Sequence, residues 1–502
     1  MDALVTTQQD SRSPQQKGNV MATTRSLLER MDGMRVGKPH IQLAFIGGLG
    51  LLFDGMDGSL VSYIMPIIKP LWHLDGAQAG LIGSSLLIGI FIGAIGAGAL
   101  GDRIGRRKVM MYALALYATA TVVAAFSQGW EFFFIMRVIA GIGIGAEAAI
   151  IPTFIAEFIP KKRRGFFVGA VAGFFALGYV SAALIGTTVV AGFPEGWRIG
   201  QLVTAAPIVM LLWWRRVLPE SPRWLLTRGR VAEAELIVQG LEEGRLVRTG
   251  SSAVVAVKAE TPKAPPLFQQ VDLWRHGNAR RTAVIWLLWI SVTFSFYGFF
   301  VWIPSLLVAK GMTITGSFTY SLIITVAQIP GYYSAAFLNE RLSRRVTIAI
   351  YLTGGAGAAF LLSQAPAEGM VLAFGSLLSF FMNGCYAGLY AYTPEVYGTR
   401  LRATGMGSAS AFGRIGGITA PILIGAAYPV LGFGGVFTMV MAVLGGAALV
   451  VLVFGVSTSG RSLEEIDQRA SGLAETATAD ADGPIDPTSP SVRAAESNNH
   501  AR

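Results

Sequence analysis

Cysteine is nearly absent. Cys385 is the only one in 502 residues, so no internal disulfide can staple the fold. Histidine is almost as scarce: His40, His73, His276 and His500 are scattered without metal-ligand spacing. No cofactor or metal is expected, and no histidine or cysteine sits in a plausible nucleophile arrangement, which argues against an enzyme. Charge is short as well, at 14% Asp, Glu, Lys and Arg against about 25% in an ordinary soluble domain. With 53% hydrophobic residues, 61 glycines and a mean hydropathy of +0.54, that shortage excludes a soluble globular protein. Residues 1–38 also lack the apolar core and cleavage site of a signal peptide, so the first apolar run is expected to act as its own insertion signal.

What is present is a series of apolar runs, each near the roughly 20 residues that cross a hydrocarbon core as a helix. Runs such as "LIGSSLLIGIFIGAIGAGAL" do not alternate, which discards a transmembrane β-barrel. Spans are predicted at 41–66, 77–101, 108–127, 131–157, 165–190 and 198–217, then at 281–307, 315–338, 346–364, 368–394, 402–428 and 432–457. The expected fold is an all-α membrane protein whose twelve transmembrane helices form two pseudo-symmetric six-helix bundles, 41–217 and 281–457. Around them lie an N-terminal segment (1–40), an interdomain loop (218–280) and a polar, mostly disordered tail (458–502). The loop contains an amphipathic stretch, "RVAEAELIVQGLEEG", that predicts a helix.

The net charge of +10 sits in short breaks between spans: Arg103, Arg106, Arg107 and Lys108 in one, Lys161, Lys162, Arg163 and Arg164 in the next basic one. Every second loop is basic and those between are nearly bare, the positive-inside pattern. Both termini and the interdomain loop are therefore expected in the cytoplasm, in an inner (plasma) membrane. The expected partners are lipid, a small molecule and a proton, with no nucleic acid and a monomeric chain.

The two halves repeat. Asp102 and Glu340, Arg106 and Arg344, Glu157 and Glu395, Arg164 and Arg402, and Pro66 and Pro304 are each separated by 238 residues. Two such halves around a midplane site describe a rocking transporter. "GDRIGRRK", "RVIAGIGIGAE", "PESPRWL" and "PEVYGTRLRATGMG" resemble the signatures of the major facilitator superfamily, in its sugar and metabolite branch. The resemblance covers about 40–457 and implies that the repeated charges form a cytoplasmic gate: Asp102, Arg106, Glu157, Arg164, Glu340, Arg344, Glu395 and Arg402. The alternative is that they only anchor helix ends at the headgroups. "GIGIG" (141–145) follows no strand, so a nucleotide loop fails. Gly141 with Gly145, like Gly89 with Gly93, reads as close helix packing.

Asp54 and Asp57, in "LLFDGMDGSLVSYIMP", lie about 60° apart on one helical face inside the first span. A charge at the bilayer centre costs about 2.5–3.5 kcal/mol on insertion, so such residues usually have a task. The resemblance pairs Asp57 with Arg137 as a proton-coupling site, Asp54 being an extra acid; a permanent structural ion pair is the alternative. Neither aspartate has a counterpart in the second half, where Val292 and Ser295 stand. The acidic first span is similar to those of aromatic acid/proton symporters and niacin-type metabolite carriers.

The second half carries Arg414 in "GMGSASAFGRIGGITAP". Its surroundings resemble those of organic-anion carriers, in which such an arginine holds the substrate anion; the alternative is an interhelical pair with Asp54 or Glu147. Asn383, Tyr386 and Tyr390 share one helical face, and with Tyr297, Gln328 and Glu147 complete the candidate substrate residues. The seventh span lacks the paired glutamines of sugar porters, and "VSTSG" replaces their usual Pro-Glu-Thr. The expected function is proton-coupled import of a small organic acid, an aromatic or heteroaromatic monocarboxylate. Sugar or polyol symport, export, or ligand sensing on a transporter scaffold are the rivals.

Overall fold

The computed structural model describes residues 25–247, 271–275, 278–397 and 401–456. The predicted tail (458–502) and most of the N-terminal segment lie outside the described residues. Within them the chain is helical: α1 (25–33), α2 (Lys38–Leu71), α3 (Gly76–Ile104), α4 (Arg106–Ala125), α5 (Trp130–Phe158), α6 (Arg164–Ile185), α7 (Gly196–Thr204) and α8 (Pro207–Val217). Two short helices follow, α9 (Pro222–Thr227) and α10 (Val231–Glu242). The second half holds α11 (Ala279–Ala309), α12 (Ile314–Val326), α13 (Gln328–Arg341), α14 (Arg344–Ser363), α15 (Glu368–Val396) and α16 (Arg402–Phe454).

Ten stretches among the described residues are helices long and apolar enough to cross a membrane. Two local features reconcile ten with the twelve expected. The sixth span is broken after Thr204, where Pro207 lacks the amide that a continuous helix would need, so α7 and α8 are each too short to cross alone. The eleventh and twelfth run together as α16, whose 53 residues would measure about 80 Å if straight. It turns back at Gly432, whose φ of 62° is open to glycine at little cost. The return is fixed at its far end: Arg345 at the start of α14 donates to the carbonyls of Val451 and Leu452, and Arg280 at the start of α11 covers the Phe454 ring.

The duplication is visible in helix bounds. α4 and α14, and α5 and α15, begin and end 238 residues apart. The tight turn between the second and third spans has two solutions. In the first half Gly105 takes φ 102°, and a Cβ there would meet Glu220 Oε2 at 2.3 Å. Its counterpart Ser343 has ordinary extended backbone and caps α14 by accepting from the Val346 amide.

Glycine permits the close approach of α3 and α5. A Cβ on Gly89 would meet the Val138 carbonyl at 2.1 Å, and on Gly145 the Ile90 carbonyl at 2.3 Å, so α3 and α5 touch backbone to backbone. Large apolar side chains such as Phe166, Val209 and Leu449 are exposed, the inside-out pattern of a protein solvated by lipid.

A polar layer caps the end that carries the basic loops, called the basic end below. The predicted amphipathic helix is α10, and it supports α1, which the sequence reading did not foresee. Arg30 reaches Glu235 and Glu242, each at 2.7 Å, and its hydrogen bond draws the Glu242 carboxyl below its usual range. Asp32 accepts from Arg164 at 3.0 Å and from Arg223 at 2.7 Å, tying α1 to α6 and α9.

Candidate functional site

Inside the first half, α2 brings Asp57 against α5. Arg137 Nη1 donates to Asp57 Oδ2 at 2.6 Å, and Nη2 donates to the Asp57 carbonyl at 3.1 Å, with both side chains fully buried. Thr204, the last residue of α7, donates to Asp57 Oδ1 at 2.9 Å. The break between α7 and α8 leaves the Thr204 carbonyl free to accept from the Tyr117 hydroxyl of α4. Three helices thus meet at one carboxylate, and α4 braces the third of them through Tyr117. A buried pair of this kind is strongly coupled: removing one partner costs about 3–5 kcal/mol because it strands the other charge.

Asp54 lies one turn nearer the basic end. It is within electrostatic reach of Asp57 and Glu147, but has no hydrogen-bond partner among the described residues. Glu147 is likewise buried and without a donor, packed against Gly50 of α2. The structure therefore places Glu147 with the first-half acids and away from the other candidate substrate residues.

Those others gather in the second half. Arg414 of α16 is half-buried, and its Nη1 donates across to the Ile90 carbonyl of α3 at 3.0 Å. No carboxylate pairs with it among the described residues, so neither Asp54 nor Glu147 supplies its counter-ion. Tyr297 and Tyr390 lie within electrostatic reach of its guanidinium. Tyr390 is 51% exposed although deep between helices, so that surface faces an internal cavity. Tyr386 stacks beside it at 6.5 Å between ring centroids. Asn383, one turn away, is tied by its amide to the Ser379 carbonyl at 3.3 Å. Gln328, at the start of α13, is buried with its amide nitrogen unpaired, one turn from Tyr332, which neighbours Tyr390.

Three aromatic residues of this wall escaped the sequence reading. Trp289 sits edge-on to Tyr390 at 5.1 Å, with its indole N–H held by Thr393 at 2.9 Å. Phe296 touches Tyr386 at 5.2 Å, and Tyr179 of α6 approaches Phe296 from the opposite half at 6.0 Å. Trp289 and Phe296 are seven residues apart on α11, a helical repeat that could have flagged them. Nothing in the sequence singles out Tyr179.

The cavity opens toward the basic end. At the opposite, far end α3 and α16 are in backbone contact: a Cβ on Gly76 would meet the Gly425 carbonyl at 2.0 Å, and Ser84 donates to the Ile418 carbonyl at 2.6 Å. Tyr63 and Phe318 close the neighbouring seam at 5.3 Å. Beyond Ile90, the basic-end part of α3 exposes Ile92, Ile95 and Leu100, and Gly165, Gly169 and Gly173 of α6 face open space.

The candidate gate residues accordingly pair within halves. Arg106 bonds Asp102 at 2.8 Å and Glu157 at 3.2 Å, and also donates to the Gly101 carbonyl. The second half repeats this, with Arg344 on Glu395 at 3.1 Å and on the Asn339 carbonyl. Arg164 is held by Asp32, and among the described residues no ion pair ties Arg402 or Glu340 to the other half.

The far-end seam gives one test. A bulkier residue at Gly76 costs about 1–3 kcal/mol in overpacking, so Gly76→Leu should shift the population away from this far-end-closed state about five- to hundredfold. A cysteine replacing buried Ser84, with Cys385 removed, should then react correspondingly faster with a thiol reagent. An unchanged rate would mean that the seam does not hold the far end shut.

A family model described as "Sugar (and other) transporter" matches residues 24–470. The chain belongs to that family. This transporter is thus a multi-pass membrane protein of the major facilitator superfamily, which moves small molecules and is not an enzyme. It is 38% identical over 443 residues to the niacin transporter NiaP of Acinetobacter baylyi, covering 88% of this chain and 99% of the relative. It is 34% identical over 425 residues to a putative niacin/nicotinamide transporter of Bacillus subtilis, covering 84% and 98%. The fold of this transporter matches the crystal structure of a D-xylose-proton symporter, with TM-score 0.68, 19% identity, and coverage of 84% and 99%.

Proposed function

We propose that this transporter imports nicotinate, a heteroaromatic monocarboxylate, together with a proton. The observation that carries the reading is Arg414: a guanidinium at a cavity, beside Tyr297 and Tyr390 and without a carboxylate partner among the described residues. A cation so placed is satisfied by a substrate carboxylate, and the tyrosines offer faces for a planar ring. The names of the two relatives agree with a pyridine carboxylate. Asp57 with Arg137 supplies the proton-coupling pair: protonation of Asp57 weakens its hold on Arg137 and lets the pair rearrange. Asp54 belongs to the same proton machinery. Tyr386, Gln328 and Asn383 complete the substrate wall. The eight basic-end charges change partners when that end closes. The chain acts as a monomer in the inner membrane, with both termini in the cytoplasm.

The decisive comparison uses purified protein in liposomes. Labelled nicotinate should enter by counterflow, and unlabelled nicotinate should compete while D-xylose does not. Competition by the sugar alone would replace this reading with sugar symport.

A further inference from the structure

Besides Asp57, the interior of the first half holds two acids that no donor reaches. Asp54 is 1% exposed and Glu147 fully buried, and none of their four carboxyl oxygens meets a hydrogen-bond partner among the described residues. They are neighbours. A Cβ on Gly50 would stand 2.5 Å from Glu147 Oε1, and Gly50 is one helical turn from Asp54. The charged and titratable groups facing them are Asp57 of α2, Tyr117 of α4 and Arg137 of α5. Arg137 is committed to Asp57, and the Tyr117 hydroxyl to the Thr204 carbonyl. From α6 and α8 the nearest contributions to this stretch of α2 are Phe175 and Trp214, which carry no charge. Two ionised carboxylates cannot share such a site, because each would be desolvated without compensation and each would repel the other.

We propose that Asp54 and Glu147 hold one proton between them and relay it between Asp57 and the basic end, on a route inside the first half and separate from the substrate cavity. The inference rests on the proton-coupled reading above. Helix direction orders the acids. α2 runs away from the basic end, so Asp54 lies about 4.5 Å nearer to it than Asp57. α5 runs toward that end, and Glu147 is about 15 Å farther along it than Arg137. On the other side of Asp57, buried Gln201, Thr121 and Ser127, whose side-chain polar atoms also meet no hydrogen-bond partner among the described residues, continue the polar line toward the far end. In each cycle a proton arriving on Asp57 frees it from Arg137. The Asp57 O–H bond breaks as one forms on the ionised Asp54 while Glu147 releases the resident proton to water at the basic end, and the proton on Asp54 then passes to Glu147, so that the pair holds one proton before and after. One proton crosses and every acid returns to its starting state.

The test combines a spectroscopic and a transport arm, using Asp54→Asn, Glu147→Gln and the double variant in liposomes. The amides match the neutral acids in shape, and melting temperatures establish that they fold. Infrared difference spectra on pH titration should show a buried protonated-carboxyl band in the wild type that each single variant shifts and the double variant loses. Under a one-unit pH gradient the wild type should accumulate nicotinate up to about tenfold, the limit for one proton per monoanion. Each variant should reach a ratio near one while retaining counterflow exchange and binding, and the double variant should be no worse than either single one. A band that persists unchanged in the double variant, or full accumulation by either single variant, overturns the relay. If the wild type fails to move nicotinate but the band is lost in the variants, the proton site stands and the substrate assignment falls.

Discussion

Arg414→Gln is expected to weaken nicotinate binding about ten- to hundredfold and to leave nicotinamide binding nearly unchanged. A charge-assisted hydrogen bond contributes about 1.5–3 kcal/mol, and the amide cannot form the ion pair that the acid forms. Among the described residues Arg414 has one hydrogen-bond partner, the Ile90 carbonyl, and no carboxylate, so its other donors are available to a ligand. Arg414→Lys should recover only part of the loss, because lysine keeps the charge and loses the planar fork that takes a carboxylate with two parallel bonds. Calorimetry with the acid and the amide on wild type and both variants measures the difference directly. Equal losses for the two ligands would make Arg414 a structural link between α16 and α3, and the organic-acid reading would lose its main support.

Asp57→Asn is expected to abolish accumulation against a gradient while leaving exchange of labelled for unlabelled substrate. Exchange needs only the loaded carrier to change face. Net uptake also requires proton release and return of the empty carrier. Asparagine can still accept from Arg137 through its amide oxygen and donate through its amide nitrogen to the Thr204 hydroxyl, so the local packing survives, but it cannot titrate. The stranded guanidinium should also lower stability, toward the 3–5 kcal/mol typical of a broken buried pair. The readouts are pH-driven uptake, counterflow and the melting temperature. Normal pH-driven accumulation by the variant would remove Asp57 from the coupling step.

Much of the architecture was legible in the sequence, because insertion into a bilayer is governed by local chemistry. The length of each apolar run sets a crossing, and the bias of Lys and Arg in alternate loops sets an expected orientation. A repeat at one offset announces two equivalent halves, and helices α4 and α14 begin and end at that offset. Gly89, Gly93, Gly141 and Gly145 announced a close approach because only backbone can fill the space a missing side chain leaves. Less could be read of α7 and α8, where one apolar stretch conceals a break whose use, presenting the Thr204 carbonyl to Tyr117, depends on a helix far away in sequence.

The site depended on tertiary structure for a different reason. Which face a span turns inward follows from its rotation and tilt against its neighbours, and those are set by packing among all twelve. Spacing alone therefore could not say that Glu147 joins Asp54 against Gly50 and leaves Arg414 without a carboxylate. Nor could it find Tyr179, which reaches the aromatic wall from the other half. The repeated charges carried a similar ambiguity. Arg106 and Arg344 each have an acid within their own half, and whether an arginine bridges inward or across depends on how far apart the two halves stand at that end. That separation is a property of one conformation of the assembled bundle, whereas the positions of the charges along the chain are the same in every conformation.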